Sequence, residues 1–441
     1  MSLLLMALLY VEEKRMQPYS LTASTIMMNG VDLQSLTQRY GTPLYVMNES
    51  FIRNQAQRFK ATFVHEHLKT TIFYASKAFL TLAMAQLIDE EGLSLDVVSL
   101  GELHTALKAN FPPSRIIFHG NNKTSLELDY ALKHHVETIV IDNPYELQLL
   151  IEKVSRPQKV MLRLNPGVEA HTHEYISTTK HDSKFGLSIN DVETIEVMKT
   201  MINHPLLDFT GIHCHIGSQI FDPSSFHKEA QLLLEYMRDI KDNYDIEIKT
   251  LNLGGGFGVK YTDEDTPFDI QLYFHDLLDF IKNTCDEYQI IYPHVCIEPG
   301  RSIVAEAGVT IYTIGALKTT HSSKHFVFVD GSMADHIRTA LYQAKYEARI
   351  LERPLDPHDR IYSVAGKACE TGDILIHESS LPTPNIGEHL VVFTTGAYHY
   401  SMASNYNRLL KPAVVFVNED DARVVVKAQT LDDLLSSDVM L

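Results

Sequence analysis

The sequence is poor in cysteine. Its four cysteines, Cys214, Cys285, Cys296 and Cys369, are widely spaced and include no Cys-x-x-Cys pair. Disulfide frameworks belong mainly to short, secreted, cysteine-rich chains. At 441 residues this chain is long enough for two domains of ordinary globular composition. The cysteine pattern therefore fits a reducing compartment better than a disulfide framework, and we expect a cytoplasmic protein.

Positive charge is also scarce. The chain has 38 Lys and Arg residues against 56 Asp and Glu residues, which gives a formal net charge of −18, and no basic stripe occurs. Binding to a phosphate backbone requires clustered Lys and Arg side chains. We therefore expect no nucleic-acid partner.

Long apolar runs are missing as well. The first ten residues, MSLLLMALLY, are too short to span a bilayer. They lack a preceding basic residue, and EEK follows them instead of a small-residue cleavage site. We expect this segment to be a leader without functional weight and the protein to have no membrane partner.

From residue 70 onward, short apolar or β-branched runs alternate with amphipathic helical patterns, for example at 226–240 and 268–285. The predicted strands are 70–76, 93–99, 115–120, 137–143, 159–165, 209–216, 249–255 and 294–300. Eight such β/α units predict an α/β fold with a (β/α)8 TIM-type barrel. A doubly wound sheet remains the alternative, because periodicity alone does not establish closure.

The pattern changes after about residue 308, where helical periodicity becomes weak. Strands are predicted at 325–331, 360–366, 388–396 and 413–429, and 414–426 has the pattern of a β-hairpin. We expect three regions. They are an N-terminal segment 1–44 that partly joins the second domain, a barrel at 45–308, and an antiparallel β-barrel or β-sandwich domain at 309–441.

Lys77, in TIFYASKAFLTLAM, is the only charged residue between Thr70 and Ile88. Its apolar neighbours predict a buried segment, and a buried, unpaired ammonium is costly. For an arbitrary lysine, the side chain would pack its stem on the core and extend its amine to water. The alternative is a desolvated amine that attacks a carbonyl. Its position at the end of the first barrel strand favours the second interpretation, because barrel chemistry collects there.

Phosphate-type loops follow the last two predicted strands. The seventh strand leads into Gly254, Gly255 and Gly256, whose backbone amides can approach a phosphate closely. The eighth leads into Gly300 and Arg301, and the Ser218 hydroxyl could reach the same group. A phosphate site, a reactive lysine and the nearby Glu298 together suggest pyridoxal phosphate, whose ring nitrogen needs an acidic partner.

Two His-x-His pairs leave a metal site open as a rival hypothesis. They are His171/His173 and His213/His215. On a regular strand, His213 and His215 would face opposite sides, so that one of them could stack on a flat ring in the barrel mouth. The first barrel strand carries no such pair and phosphate-type loops lie nearby, so we expect no metal.

The order of the segments YASKAF, DVVSLGEL, FHGNNKT, RLNPGVEAHTHEYISTTKHDSKFGL, GIHCHIGSQI, LNLGGGFGVKY, IEPGRSIVAEAG, ACETGD and GAYHYSMASNYN resembles that of diaminopimelate decarboxylases. These belong to the fold-type-III pyridoxal-phosphate enzymes, alongside alanine racemase and ornithine decarboxylase. The resemblance extends from about residue 28 to the final strands. It implies decarboxylation of meso-2,6-diaminopimelate to L-lysine and carbon dioxide, the last step of lysine biosynthesis.

The resemblance also implies roles for individual residues. Lys77 is the expected Schiff-base lysine, His215 stacks on the cofactor ring and Glu298 faces its pyridine nitrogen. Cys369 and Glu370 reach the site of a partner subunit in a homodimer, with the cysteine as proton donor. The expected phosphate ligands are Ser218, Gly254, Gly255, Gly256, Gly300, Arg301 and Tyr398. The expected substrate ligands are Arg301, Arg338, Tyr342, Glu370 and Tyr398.

Some features depart from the family pattern, and other functions remain as alternatives. Ser332, Ala334 and Thr339 stand where many relatives carry Gly, Asn and Pro, and we expect backbone adjustments there without loss of activity. The alternatives are a decarboxylase of lysine, ornithine or arginine, a non-catalytic relative that binds the cofactor, an amino-acid racemase, and a metal-dependent hydrolase.

Overall fold

The computed structural model describes residues 17–167 and 183–441, which divide into two compact units. One unit combines the described residues up to 55 with residues 306–395 and 403–441. The other unit comprises residues 56–305 and 396–402. Among the described residues, no helix is both long enough and apolar enough to cross a membrane.

The chain begins with a small antiparallel sheet of β1 (Ser20–Leu21), β2 (Ile26–Met28) and β3 (Val31–Asp32). Helix α1 (Leu33–Tyr40) follows, and the Asp32 side chain caps it by accepting a 2.9 Å hydrogen bond from the Gln34 N–H. Strand β4 (Leu44–Asn48) and helix α2 (Glu49–Thr62) lead towards the barrel.

Eight parallel strands form a closed barrel. In chain order, the strands from here on are β5 (Thr70–Ala75), β6 (Ser94–Val97), β7 (Ile116–Phe118), β8 (Thr138–Ile141), β9 (Gln158–Asn165), the short β10 (Leu187–Ser188), β11 (Leu207–His213), β12 (Thr250–Asn252) and β13 (His294–Ile297). Pairing of β13 with β5 and of β8 with β9 closes the ring, with β10 attached to β9. The predicted TIM-type barrel is confirmed, and the doubly wound alternative is wrong.

Helices separate the barrel strands. They are α3 (Leu82–Glu90), α4 (Leu100–Lys108), α5 (Ser125–His134), α6 (Pro144–Lys153), α7 (Val192–Asn203), α8 (Ser224–Tyr244), α9 (Ile270–Tyr288) and the short α10 (Arg301–Val304). The apolar face predicted for α8, from Phe226 to Ile240, is buried. A cluster of strand residues fills the barrel interior: Phe73, Ile117, Val140, Met161 and Cys296.

The β-rich unit is built on a mostly antiparallel sheet. Its further elements are β14 (Gly308–Thr319), β15 (His325–Val329), α11 (Arg338–Tyr342), β16 (Ala348–Ile350), β17 (Arg360–Ala365), β18 (Ile374–Leu381), β19 (His389–Phe393), β20 (Ala413–Asn418), β21 (Asp421–Val426) and α12 (Leu431–Leu435). The sheet order is β18-β17-β15-β14-β4-β20-β21, and β19 pairs with β14 and β16. The predicted hairpin is β20–β21. Two pairs, β15–β17 and β4–β20, are parallel.

Candidate active site

Lys77 lies directly after the first barrel strand. Strand β5 ends at Ala75, and a 3-10 turn, Ser76–Ala78, carries the lysine. The neighbouring residues Ser76 and Ala78 are buried, as expected, but Lys77 itself is exposed. The expectation of a buried ammonium was therefore wrong. The side chain faces an open cavity and does not pack into the core.

This cavity, of about 280 Å³, is formed at the carboxyl ends of the barrel strands. Its lining combines one amine, two carboxyl groups, three imidazoles and a guanidinium. The lining residues are Lys77, Asp96, Val98, His119, Gly120, Asn121, Arg163, Phe185, His213, His215 and Glu298. The predicted residues Lys77, His215 and Glu298 thus share one cavity.

Glu298 is a buried carboxylate held by three side chains. Oε1 lies 2.7 Å from His119 Nε2 and accepts a second 2.7 Å hydrogen bond from Asn252 Nδ2, whereas Oε2 lies 3.2 Å from His213 Nε2. Burial opposes ionisation, but the electrostatic interaction and hydrogen bonds with His119 and His213 outweigh it and hold the pKa of Glu298 well below its usual range. Glu298 is therefore an ionised acceptor in the cavity.

Both histidines of the second His-x-His pair line the cavity. The condition for facing opposite sides, a regular strand through both residues, is not met, because β11 ends at His213. His215 Nδ1 accepts a hydrogen bond from the Gly255 N–H at 3.3 Å. Burial, followed by the nearby Lys77 and Arg163 cations, lowers the pKa of His215 well below its usual value. Its ring is therefore a neutral imidazole.

The glycine turn after β12 fits closely against the neighbouring strand ends. A Cβ atom on Gly254, which has φ +63°, would lie 2.6 Å from the Cys214 carbonyl oxygen, and one on Gly255 would lie 2.2 Å from the Glu298 carbonyl oxygen. Gly256 completes the turn. Side chains are excluded from these positions, so the turn presents backbone to its surroundings.

Arg301 connects three of the residues that the sequence assigned to phosphate binding. It follows Gly300, at the start of α10, and is buried. Its Nη2 donates to Ser218 Oγ at 3.0 Å, and its guanidinium carbon lies 4.7 Å from the ring centre of Tyr398. The Tyr398 N–H donates in turn to the Ala78 carbonyl at 2.8 Å, next to Lys77.

These groups fit pyridoxal phosphate. An amine, an ionised carboxylate and a neutral imidazole share one cavity, as the aldehyde, ring nitrogen and ring face of that cofactor require. Arg301 Nε is buried, and among the described residues it has no hydrogen-bond partner, so a donor remains for an anion. The backbone of the glycine turn can also approach a phosphate closely.

Among the described residues, His213 and His215 do not ligate a metal together as a pair. The described residues contain one cluster with suitable spacing, His119, His213 and Glu298, whose donor atoms lie within 4.8 Å of one another. Of these three residues, only His213 belongs to a His-x-His pair. Both imidazoles lie within hydrogen-bond distance of the Glu298 carboxylate. His171 and His173 lie outside the described residues.

The remaining predicted residues lie in the β-rich unit. Arg338 is buried at the start of α11, donates through Nε to the Tyr346 hydroxyl at 2.9 Å and lies 5.3 Å from the ring centre of Tyr342. Cys369 and Glu370 are exposed. Glu370 accepts a 3.0 Å hydrogen bond from the Tyr406 hydroxyl.

Two of the three departures from the family pattern make internal hydrogen bonds in this unit. Ser332 Oγ accepts from the Ala334 N–H at 3.0 Å, so Ala334 takes part through its backbone. The buried Thr339 hydroxyl donates to the Leu375 carbonyl at 2.6 Å. The polar groups that these substitutions introduce are therefore satisfied inside the unit.

Sequence reasoning missed four polar residues around Lys77 or Glu298: Asp96, His119, Arg163 and Asn252. All four lie at or near the carboxyl ends of strands, inside the quoted segments DVVSLGEL, HGNNK, RLNPG and LNLGGG. The signal that could have found them is a polar residue at the carboxyl end of a barrel strand. Asp96 gave a weaker signal, a single acid inside an apolar strand.

Comparison with known proteins agrees with this site. A family model described as "Pyridoxal-dependent decarboxylase, pyridoxal binding domain" matches residues 49–305. The diaminopimelate decarboxylase of Bacillus subtilis is 47% identical over 415 residues, which cover 93% of this chain and 94% of that protein. The corresponding protein of Staphylococcus aureus is 46% identical over 412 residues, 93% and 97% of the two chains.

A solved structure is similar throughout. It is the diaminopimelate decarboxylase of M. jannaschii in co-complex with L-lysine, with a TM-score of 0.89 and 31% identity, covering 97% of this chain and 99% of that one. The family match also makes pyridoxal 5'-phosphate the cofactor. With a barrel cavity suited to that cofactor and relatives that align over almost the whole chain, this protein belongs to the pyridoxal-dependent decarboxylases, in the diaminopimelate decarboxylase family.

Proposed function

We propose that this chain decarboxylates meso-2,6-diaminopimelate to L-lysine and carbon dioxide, the last step of lysine biosynthesis. The observation that carries the proposal is the shared cavity of Lys77, His215 and Glu298 at the carboxyl ends of the barrel strands. The name of the relatives and the L-lysine bound in one of them support this substrate class.

The barrel residues have separable roles towards the cofactor. Lys77 would hold its aldehyde carbon, His215 its ring face and Glu298 its ring nitrogen. Ser218, Gly254, Gly255, Gly256, Gly300, Arg301 and Tyr398 would hold its phosphate. When bound, pyridoxal phosphate withdraws electrons from the substrate α-carbon, so that the bond to the carboxylate can break and leave its electron pair behind.

Substrate recognition and proton return complete the reaction. A proton must replace the departing carbon dioxide at the α-carbon, and either Lys77 or Cys369 can carry it. At the far end of the substrate, a carboxylate requires a guanidinium and an ammonium requires a carboxylate. The proposed ligands of the substrate carboxylate are Arg301, Arg338, Tyr342 and Tyr398. The proposed ligand of the ammonium is Glu370.

We propose a homodimer in which Cys369 and Glu370 serve the site of a second copy of this chain. Support comes from the exposure of both residues on the loop that joins β17 to β18. Two further proposals are a cytoplasmic location, supported by four free thiols, and the lack of a nucleic-acid partner, supported by the net charge of −18.

The test is carbon dioxide release from meso-diaminopimelate, lysine, ornithine and arginine, with and without added pyridoxal phosphate. We expect release from diaminopimelate alone, dependent on the cofactor. Lys77→Ala should abolish release and the absorbance of bound cofactor. Lys69→Ala is the matched control, because Lys69 is exposed before the amino end of the same strand. Preference for a diamine precursor would overturn the substrate assignment, and no release from any substrate would overturn the proposed activity.

A further inference from the structure

Three protein side chains surround the Glu298 carboxylate, more than it would need in order to bind the ring nitrogen of the cofactor. Each of its two oxygens faces one imidazole, at 2.7 Å for His119 and 3.2 Å for His213. Asn252 adds a third donor, and its own amide oxygen accepts from the Gly254 N–H at 2.9 Å, which fixes the orientation of the amide. The ends of two strands, β11 and β12, and the loop after β7 thus supply donors to a single carboxylate.

The two imidazoles act as donors. Their ring centres are 4.5 Å apart, and both present Nε2 to the carboxylate. Burial, partly offset by Glu298, lowers the pKa of His213 to about 3, so this ring is neutral. Among the described residues its Nδ1 has no hydrogen-bond partner. The single ring proton of His213 therefore belongs on Nε2, where the carboxylate accepts it.

We propose that His119 and His213 are positioning residues that keep Glu298 ionised, and so keep the cofactor's ring nitrogen protonated. They would act through Glu298 without contacting substrate. The inference deepens the proposed function, because it rests on the placement of Glu298 beside the ring nitrogen. An ionised carboxylate stabilises a protonated ring nitrogen, whereas a neutral carboxylic acid does not.

Other charged and titratable groups around this carboxylate modify the effect. Asp96 Oδ1 lies 4.0 Å from His119 Nε2, and its negative charge works against ionisation of Glu298. Burial, opposed first by His119, raises the pKa of Asp96 to about 6. Lys77, Arg163 and His215 face the same region from the carboxyl ends of β5, β9 and β11, and Cys296 lies on β13 itself. As the pH falls, Asp96 is therefore protonated before Glu298 in the intact protein.

The experiment compares the affinity of the cofactor-free protein for pyridoxal phosphate and for its analogue with carbon in place of the ring nitrogen. His119→Leu removes the donor and fills its space, whereas His119→Gln retains an N–H. Removal of a donor raises the pKa of Glu298, so we expect His119→Leu to lose about tenfold in cofactor affinity near pH 6 and less near pH 8. The analogue should be insensitive to the substitution, and His119→Gln should restore most of the loss.

His294→Ala is the matched control. His294 begins the strand that leads to Glu298, also has a lowered pKa, of about 4 through burial, and bonds to Thr71. It should leave the pH profile of cofactor affinity unchanged. Equal losses for cofactor and analogue at every pH in His119→Leu would mean a merely structural role, and an unchanged profile would also overturn the proposal. If the unaltered protein bound both compounds with the same pH dependence, the placement of Glu298 would be wrong, whereas the substrate test above would stand independently.

Discussion

Arg338 is a buried guanidinium with a fixed orientation. The Tyr346 hydroxyl accepts from its Nε, and the Tyr342 ring lies beside it. An arginine held in this way can pair with a carboxylate through two parallel hydrogen bonds, which a lysine cannot reproduce. Its proposed partner is the carboxylate at the far end of diaminopimelate.

We expect Arg338→Ala to lower kcat/KM for diaminopimelate about 100-fold, because a charge-assisted pair is lost. Arg338→Lys should recover only part of the loss. Carbon dioxide release at limiting substrate measures both. Near-normal kinetics in Arg338→Ala would exclude this arginine as a substrate ligand.

Glu229, on α8, makes the stability of the fold depend on pH. It is fully buried, and burial raises its pKa to about 8, although the nearby Cys214 thiol works in the other direction. A raised carboxyl pKa means that the folded state holds a proton that the unfolded state releases earlier. Stability is then highest below the ordinary glutamate value and declines as pH rises towards 8.

We expect Glu229→Gln to remove this decline, which amounts to about 1.4 kcal/mol for each pH unit between the two pKa values. The free energy of unfolding in urea, measured at several pH values, tests it. Parallel pH profiles for the variant and the unaltered protein would contradict the assignment to Glu229.

Single residues also show why the site was only partly predictable. The sequence alone indicated a reactive lysine after a strand and a phosphate-type glycine turn. The exposure of Lys77 was not, because it depends on the empty space that eight strand ends enclose. His119 was overlooked for a similar reason, since its partner Glu298 lies 179 residues further along the chain.

At the scale of elements, the loop between β7 and α5 is braced by a buried ion pair. Lys123 Nζ lies 2.7 Å from Glu146 Oε1 on α6, and both side chains are almost fully buried. The same amine donates to the Gly120 and Val140 carbonyls at 2.9 and 2.6 Å. Because Gly120 and Asn121 line the cavity, this pair connects a helix to the shape of the site.

We expect Glu146→Leu to destabilise the protein by about 3–5 kcal/mol, because it leaves the ammonium buried without its carboxylate. The double substitution of Lys123→Met with Glu146→Leu should recover much of the loss. Thermal or urea unfolding measures both variants. A double variant no more stable than Glu146→Leu would show that the lysine's backbone contacts matter more than its charge.

The barrel elements were more predictable than those of the β-rich unit. Alternation of strands and helices is a local pattern, and all eight predicted barrel strands exist, although seven of them end one to three residues before the predicted boundary. The β-rich unit pairs strands that are far apart in sequence. Its parallel pairs, β4–β20 and β15–β17, therefore left no local signal, and the long strand β14 was not among the predicted strands.

At the scale of the whole molecule, the proposed homodimer with shared sites predicts complementation. Lys77→Ala and Cys369→Ala should each be inactive or nearly so as separate proteins. Mixed in equal amounts and allowed to exchange subunits, they should recover about a quarter of full activity, because half of the dimers are hybrids with one intact site each. Carbon dioxide release after mixing measures it. No recovery despite demonstrated exchange would place both residues in a site formed by one chain.

The position of β4 affects how this chain folds during synthesis. This strand precedes the barrel in sequence, yet it lies in its sheet between β14 and β20, whose residues follow the barrel. During synthesis, β4 leaves the ribosome before β14 and β20 and remains unpaired until residues 308–418 have been made. The barrel strands can close before then. Contacts so distant in sequence slow folding. A chain truncated after the barrel would therefore carry an apolar strand without partners, and a shortened version should omit residues 44–48 as well.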